Sequence, residues 1–144
     1  MPSAGENYGM AGGFLPRPTV LVVDDEPLIQ WSLAEAIREA GYPVEVAATG
    51  ADAEQAVARL AGRSLVIVLD LRLPDVVDLS LLQALRSERP DAPVLVLSAW
   101  ASADEAQAAL NAGAARVMKK PFDVSSVVAA VSAASPLSRP AYTL

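Results

Sequence analysis

Two hydrophobic patterns alternate along the chain. Short, largely apolar runs at Thr19–Val23, Val44–Ala48, Leu65–Leu69, Val94–Leu97 and Arg116–Met118 have the length of strands. Between them, apolar residues return every three or four positions, as on one face of a helix. The first such segment aligns Ile29, Leu33, Ala36, Ile37 and Ala40, with Pro27 in its first turn and Gly41 as its stop. Ala51–Ala61 gathers Ala53, Ala56, Val57 and Leu60 on one side. Leu79–Glu88 is closed off by Pro90 and Pro93, and Asp104–Ala112 stops at Gly113. The last segment, Val124–Ala134, turns Val124, Val127, Val128 and Val131 inward.

Strand followed by helix, five times over, predicts a doubly wound α/β domain: a five-stranded parallel sheet with five helices, (βα)5, covered on both faces. The folded part is expected at 19–134. Residues 1–18 carry Gly5, Gly9, Gly12, Gly13, Pro2, Pro16 and Pro18, and 135–144 carry Pro136 and Pro140, both without periodicity. Both segments read as flexible tails, which favours a stand-alone protein. A chain of 144 residues has room for one such domain.

Composition narrows the chemistry. A net charge of −6 disfavours non-specific binding to nucleic acid or an anionic membrane. No apolar run approaches the ~20 residues of a membrane helix. The N-terminus lacks a secretory signal, so a cytoplasmic location is expected. With no Cys there are no disulfides, thiolate metal sites or thiol nucleophiles, and with no His there are no histidine triads or phosphohistidines. Carboxylate, hydroxyl and amine chemistry remains.

Parallel sheets of this kind bind ligands at the carboxyl ends of their strands. Those ends carry Asp24-Asp25-Glu26, Asp70, Ser98 and Lys119-Lys120-Pro121, and the two lysines of the chain both lie there. Two like charges ~5 Å apart repel by roughly 3 kcal/mol at an effective dielectric of about 20, so such a cluster needs a counter-charge. Lys120 and a divalent cation supply it. All-oxygen ligation on a rim open to water favours Mg²⁺. Metal, amine and hydroxyl around a carboxylate suit phosphoryl transfer, with Asp70 as the nucleophile that forms an aspartyl phosphate.

The segments Val-Leu-Val-Val-Asp-Asp-Glu-Pro at 20–27, Val-Leu-Asp-Leu-Arg-Leu-Pro-Asp at 68–75, Leu-Ser-Ala at 97–99 and Lys-Lys-Pro-Phe at 119–122 stand in order. In these motifs the chain resembles the receiver domains of two-component response regulators, over about 19–134. The segment Ile-Gln-Trp-Ser-Leu at 29–33 is similar, more weakly, to NtrC-like receivers. The resemblance implies a CheY-like, flavodoxin-like fold and a phosphorelay switch. By it, Asp70 accepts a phosphoryl group from a sensor histidine kinase or a phosphotransfer protein. Asp24, Asp25, Asp70 and the backbone carbonyl of Arg72 would hold Mg²⁺. Ser98 and Lys120 would contact the phosphoryl oxygens, and the peptide before Pro121 would be cis. Output would pass to a protein partner through the fourth helix, the fifth strand and the last helix, a homodimer being one such use. Direct nucleic-acid binding is not expected. Catalysis would be limited to self-catalysed, Mg²⁺-dependent phosphotransfer and autodephosphorylation, so the chain is not read as an enzyme.

Three positions depart from the family pattern. Asp78 stands where the loop usually has Gly, Ser98 where Thr is commoner, and Val117 where the reporting residue is usually aromatic. A ring flip is therefore not expected to signal phosphorylation; a shift of the loop 99–103 and of the Ala-rich fourth helix is. The motifs also have plainer readings: Asp25 or Glu26 as a helix cap, Asp70 as a turn residue, Lys119 as a solvated neighbour. Trp31 reads as half-exposed packing against the N-terminal arm or the last helix, and Trp100 as a partner-docking aromatic or a loop anchor. Two rival functions stand beside the switch. A phosphohydrolase of the haloacid-dehalogenase type needs a second Asp two residues after the nucleophile, where this chain has Arg72. A phosphorylation-independent docking module would leave Asp24, Asp25, Asp70, Ser98 and Lys120 without a common purpose.

Overall fold

The computed structural model describes residues 17–76, 78–99 and 102–135. Its elements follow in the order β1 (Thr19–Val23), α1 (Pro27–Glu39), β2 (Val44–Ala47), α2 (Gly50–Arg59), β3 (Leu65–Asp70), α3 (Ser80–Glu88), β4 (Val94–Ser98), α4 (Ala103–Asn111), β5 (Arg116–Lys119) and α5 (Val124–Ala134). All four strand pairings are parallel, in the sheet order β2-β1-β3-β4-β5. Each β–α–β passage crosses over the sheet, as parallel pairing requires.

The central strands β1, β3 and β4 are buried along their whole length. Alternate side chains feed two separate cores. On one face Leu21, Val23, Ile67, Leu69, Val94 and Val96 meet Ala53, Ala56 and Val57 of α2, Leu81, Leu82 and Leu85 of α3, and Ala109 of α4. On the other, Val20, Val22, Val66, Val68, Leu95 and Leu97 meet Leu33 and Ile37 of α1 and Val127, Ala130 and Val131 of α5. The period-two alternation of a strand explains this division of one apolar run between two layers. The edge strands β2 and β5 are less covered, and Val46 is exposed.

Local signals fix the helix ends. Pro27 opens α1, Thr49 Oγ1 accepts the Asp52 amide at the start of α2, and Ser102 with Glu105 forms a capping box on α4. Gly41 follows α1 with φ +101°, the left-handed turn that Gly adopts without strain. Arg17, from the segment read as an N-terminal tail, lies 4.8 Å from the centre of the buried Tyr42 ring. Ser135, the first residue of the segment read as a C-terminal tail, is buried and donates its amide to Val131. Residues 1–16 and 136–144 lie outside the described residues, as does Trp100. Trp31 is 61% exposed. It lies off the inward face, as its spacing implied, because α1 turns Leu33, Ala34 and Ile37 inward.

Candidate functional site

Three strands deliver the site at their carboxyl ends. β1 ends one residue before Asp24, β3 runs to Asp70 itself, and β4 runs to Ser98, each one residue further than the apolar run alone suggested for the last two. Asp24, Asp70 and Ser98 are all buried at 5% exposure or less. The backbone amide of Lys120 donates to the Ser98 carbonyl at 2.8 Å, which ties the segment after β5 to the end of β4. The Lys120–Pro121 peptide is cis.

The two buried aspartates are held by the same device. Asp24 Oδ1 accepts the Glu26 amide at 2.9 Å, and Asp70 Oδ1 accepts the Arg72 amide at 3.0 Å. Each carboxylate is anchored to the amide two residues on, the local bond Asp favours in turns. The second oxygens turn toward Lys120, whose Nζ lies 3.2 Å from Asp70 Oδ2 and 3.5 Å from Asp24 Oδ2. The same ammonium stands 3.3 Å from Glu26 Oε1. Glu26 thus occupies the N-cap position of α1 without capping it, and its carboxylate serves the site instead.

Burial pushes the Asp24 carboxyl above the ordinary aspartate range; the Glu26 amide and Lys120 pull it down, and the neighbouring Asp70 adds to the rise. For Lys120 burial opposes the charge, yet the Asp70 and Asp24 carboxylates outweigh it and hold the ammonium above the ordinary lysine value. Asp24 Oδ2 is a buried oxygen without a hydrogen bond. Carboxylate oxygens of Asp24, Asp25 and Asp70 lie within 4.8 Å of one another, with Asp25 exposed to solvent. A deficient buried oxygen, two further carboxylates and an open side are what a hard divalent cation requires.

The structure therefore brings together Asp24, Asp25, Asp70, Ser98 and Lys120, and the Arg72 amide lies on Asp70. Lys119 is exposed. Asp78 uses its Oδ1 to accept the Ser80 amide at 2.9 Å, giving the start of α3 an acceptor that Gly lacks. Sequence reasoning missed Gln30, whose Nε2 donates to the carbonyls of Asp24 at 3.0 Å and Ala47 at 3.3 Å and braces the β1–α1 loop. It also missed Asp75, which binds the first amides of α2. Asp75 closes the motif at 68–75 and Gln30 lies in the segment 29–33, but nothing in the sequence shows what either side chain meets.

A parallel β2-β1-β3-β4-β5 sheet with this rim is matched by the response regulator receiver domain family over residues 20–132. The chain belongs to that family. A probable transcriptional regulatory protein, TcrX of Mycobacterium tuberculosis, is 42% identical over 110 residues, covering 76% of this chain and 46% of that protein. PrrA of the same organism is 40% identical over 116 residues, covering 81% of this chain and 49% of PrrA. The chain thus spans about half the length of these curated relatives. Among solved structures, the non-phosphorylated HemR receiver domain of Leptospira biflexa superposes with a TM-score of 0.75 at 32% identity, covering 87% of this chain and 99% of that one. Receiver membership does not favour the phosphorylation-independent reading. No helix among the described residues is long and apolar enough to cross a membrane.

Proposed function

We propose that this receiver is a phosphorylation switch whose phosphoacceptor is Asp70. The carrying observation is the opposed tethering of that carboxylate: Oδ1 is held by the Arg72 amide and Oδ2 by Lys120. In the transfer, an Asp70 oxygen attacks the phosphorus of a phosphohistidine donor, the bond from phosphorus to imidazole nitrogen breaks, and the electron pair leaves with the imidazole. Lys120 offsets the charge that accumulates on the phosphoryl oxygens, and Ser98 bonds one of them. Asp24, Asp25, Asp70 and the Arg72 carbonyl would hold Mg²⁺, which supplies further neutralisation of phosphoryl charge when bound. Turnover is limited to this self-phosphorylation and to later hydrolysis of the aspartyl phosphate, so the chain works as a switch in the cytoplasm and not as an enzyme on a separate substrate.

The donor is a sensor histidine kinase or a phosphotransfer protein. A mostly apolar groove of about 530 Å³ runs from Lys120 past Pro121, Phe122 and Val124 to Ile29 and Leu28 of α1. A protein handing a phosphoryl group to Asp70 covers this flank. Output leaves through α4, β5 and α5 toward a protein partner, including a second copy of the chain, without direct nucleic-acid contact by this domain. Incubation with acetyl phosphate and Mg²⁺, followed by intact mass and peptide mapping, tests the assignment. One phosphoryl group on the peptide containing Asp70 is expected, and none on Asp70→Asn. Undiminished labelling of Asp70→Asn refutes it.

A further inference from the structure

The loop between β3 and α3 is fastened at a point remote from the phosphoacceptor. Asp75 Oδ1 accepts the amide of Gly50 at 2.8 Å, and Asp75 Oδ2 accepts that of Ala51 at 3.1 Å. Thr49 takes the next two amides, Asp52 through its hydroxyl at 3.0 Å and Ala53 through its carbonyl at 3.0 Å. The amides of Gly50, Ala51 and Asp52, which the helix cannot satisfy internally, are thus all bonded by side chains, two of them by a residue 25 and 24 positions away. The opposite surface is shaped to match. A Cβ on Gly50 would lie 2.6 Å from Val76 Cγ2 and 3.4 Å from either Asp75 oxygen, so the loop seats where the helix start is bare.

From this anchor the loop returns to the site in a few residues. Leu73 and Val76 exchange backbone hydrogen bonds at 3.1 and 3.3 Å, and Arg72, next to Leu73, donates its amide to Asp70 Oδ1. A chain of contacts thus runs from the start of α2 through Asp75, the Leu73–Val76 bridge and Arg72 to the Asp70 carboxylate. Bonds from the Gly50 and Ala51 amides hold the Asp75 carboxyl below the ordinary aspartate range, so the clamp is charged at neutral pH.

We propose that Asp75 is a positioning residue for phosphoryl acceptance, which orients Asp70 by locking the β3–α3 loop onto the amino terminus of α2. The inference rests on Asp70 being the phosphoacceptor. Its test compares four variants with the wild-type chain: Asp75→Ala, Asp75→Asn, Gly50→Ala and, as a control, Val57→Ala in the buried face of α2. The readouts are the labelling rate over a range of acetyl phosphate concentrations, the exchange rate of the Arg72 amide proton, and Tm. Asp75→Ala should slow labelling at saturating acetyl phosphate by about tenfold and speed exchange of the Arg72 amide. Asn retains one acceptor and should restore part of the rate. Gly50→Ala, which pushes the loop off from the other side, should reproduce the slowing. Val57→Ala should lower Tm with the saturated rate unchanged. If Asp75→Ala lowers Tm and leaves the saturated rate and Arg72 exchange as in wild type, Asp75 is a helix cap and the proposal fails. Absence of labelling in the wild-type chain would overturn the phosphoacceptor assignment instead.

Discussion

The Lys120 ammonium donates to Asp70 Oδ2 at 3.2 Å across 50 positions of sequence. The contact carries more than one pair of charges, because the same nitrogen faces the buried Asp24 and the exposed Glu26. Three carboxylates share a single cation, so its removal leaves buried negative charge uncompensated.

Lys120→Ala is therefore expected to destabilise the metal-free protein by about 2 kcal/mol. The folded-state value of Lys120 lies above its unfolded one, so its contribution is complete below the ordinary lysine value and fades as pH rises through the folded value. The difference in Tm between wild type and variant should persist from neutral pH to about pH 10, close to the ordinary lysine value, and shrink as pH rises further through the folded value. Phosphoryl acceptance should survive better than phosphorylation-dependent partner binding. An unchanged Tm at neutral pH would show that the ammonium does not balance the cluster.

Asp24 runs the opposite way. Burial raises its folded value above the ordinary 3.8, so the stability gained from its protonated form is complete below that value and is lost as pH rises through the folded one. At neutral pH the charged carboxylate is a burden on the metal-free fold. Asp24→Asn keeps an oxygen for the Glu26 amide and removes the charge, and it should stabilise the metal-free protein by about 1 kcal/mol. It should also weaken Mg²⁺ binding by at least about tenfold, as should Asp25→Asn without the stabilisation. Thermal unfolding with and without Mg²⁺ and calorimetric titration measure both effects; Mg²⁺ affinity unchanged from wild type in both variants would place the metal elsewhere.

Most of the rim was legible in the sequence because a strand buried on both faces leaves its first polar residue at the sheet edge. Asp24, Asp70 and Ser98 obey that rule; Lys120 follows the exposed end of the edge strand β5 and was legible through the Lys-Lys-Pro-Phe motif instead. Glu26, Gln30 and Asp75 do not. Their roles depend on segments that meet only after folding: Glu26 on Lys120, Gln30 on the end of β2, Asp75 on the start of α2. Trp31, read as half-exposed and off the inward face, is 61% exposed, since helical spacing gives the inward face but not what covers the flanks.

Leu28 is 73% exposed at the lip of the groove that starts at Lys120. An isolated exposed Leu means little, but this one adjoins the apolar residues Ile29, Phe122 and Val124 beside the phosphoacceptor. Leu28→Asp should leave the unfolding free energy within about 0.5 kcal/mol of wild type, as surface changes do. Labelling by acetyl phosphate should be unaltered. Transfer from a phosphorylated protein donor should fall by about tenfold, because burial of an apolar anchor is lost and a charge must be desolvated. Equal transfer rates from the protein donor would place docking on another face.

The route out of the site passes Ser98. Lys120 and Ser98 are joined through backbone, and a cavity of about 160 Å³ lies beside Ser98, lined by Leu71, Leu79, Glu105 and Ala108. Val117 packs against the core on this face with no ring to move. Valine has one stiff torsion and little reach, so a rotamer flip cannot carry the signal. α4 is the freer element: Ala109 is its one buried residue, and an alanine stripe buries little area to hold a helix in place. Drawing Ser98 toward a phosphoryl group should therefore move α4 into or across the adjacent space as a body, its capping box preserving the helix itself. A beryllofluoride mimic is expected to change amide shifts and hydrogen exchange mainly over residues 98–113. α1 and α2 should stay quiet, being anchored by Leu33, Ile37, Ala53, Ala56 and Val57 in the two cores. A response limited to residues adjoining Asp70 would mean that the phosphoryl group is bound without being transmitted.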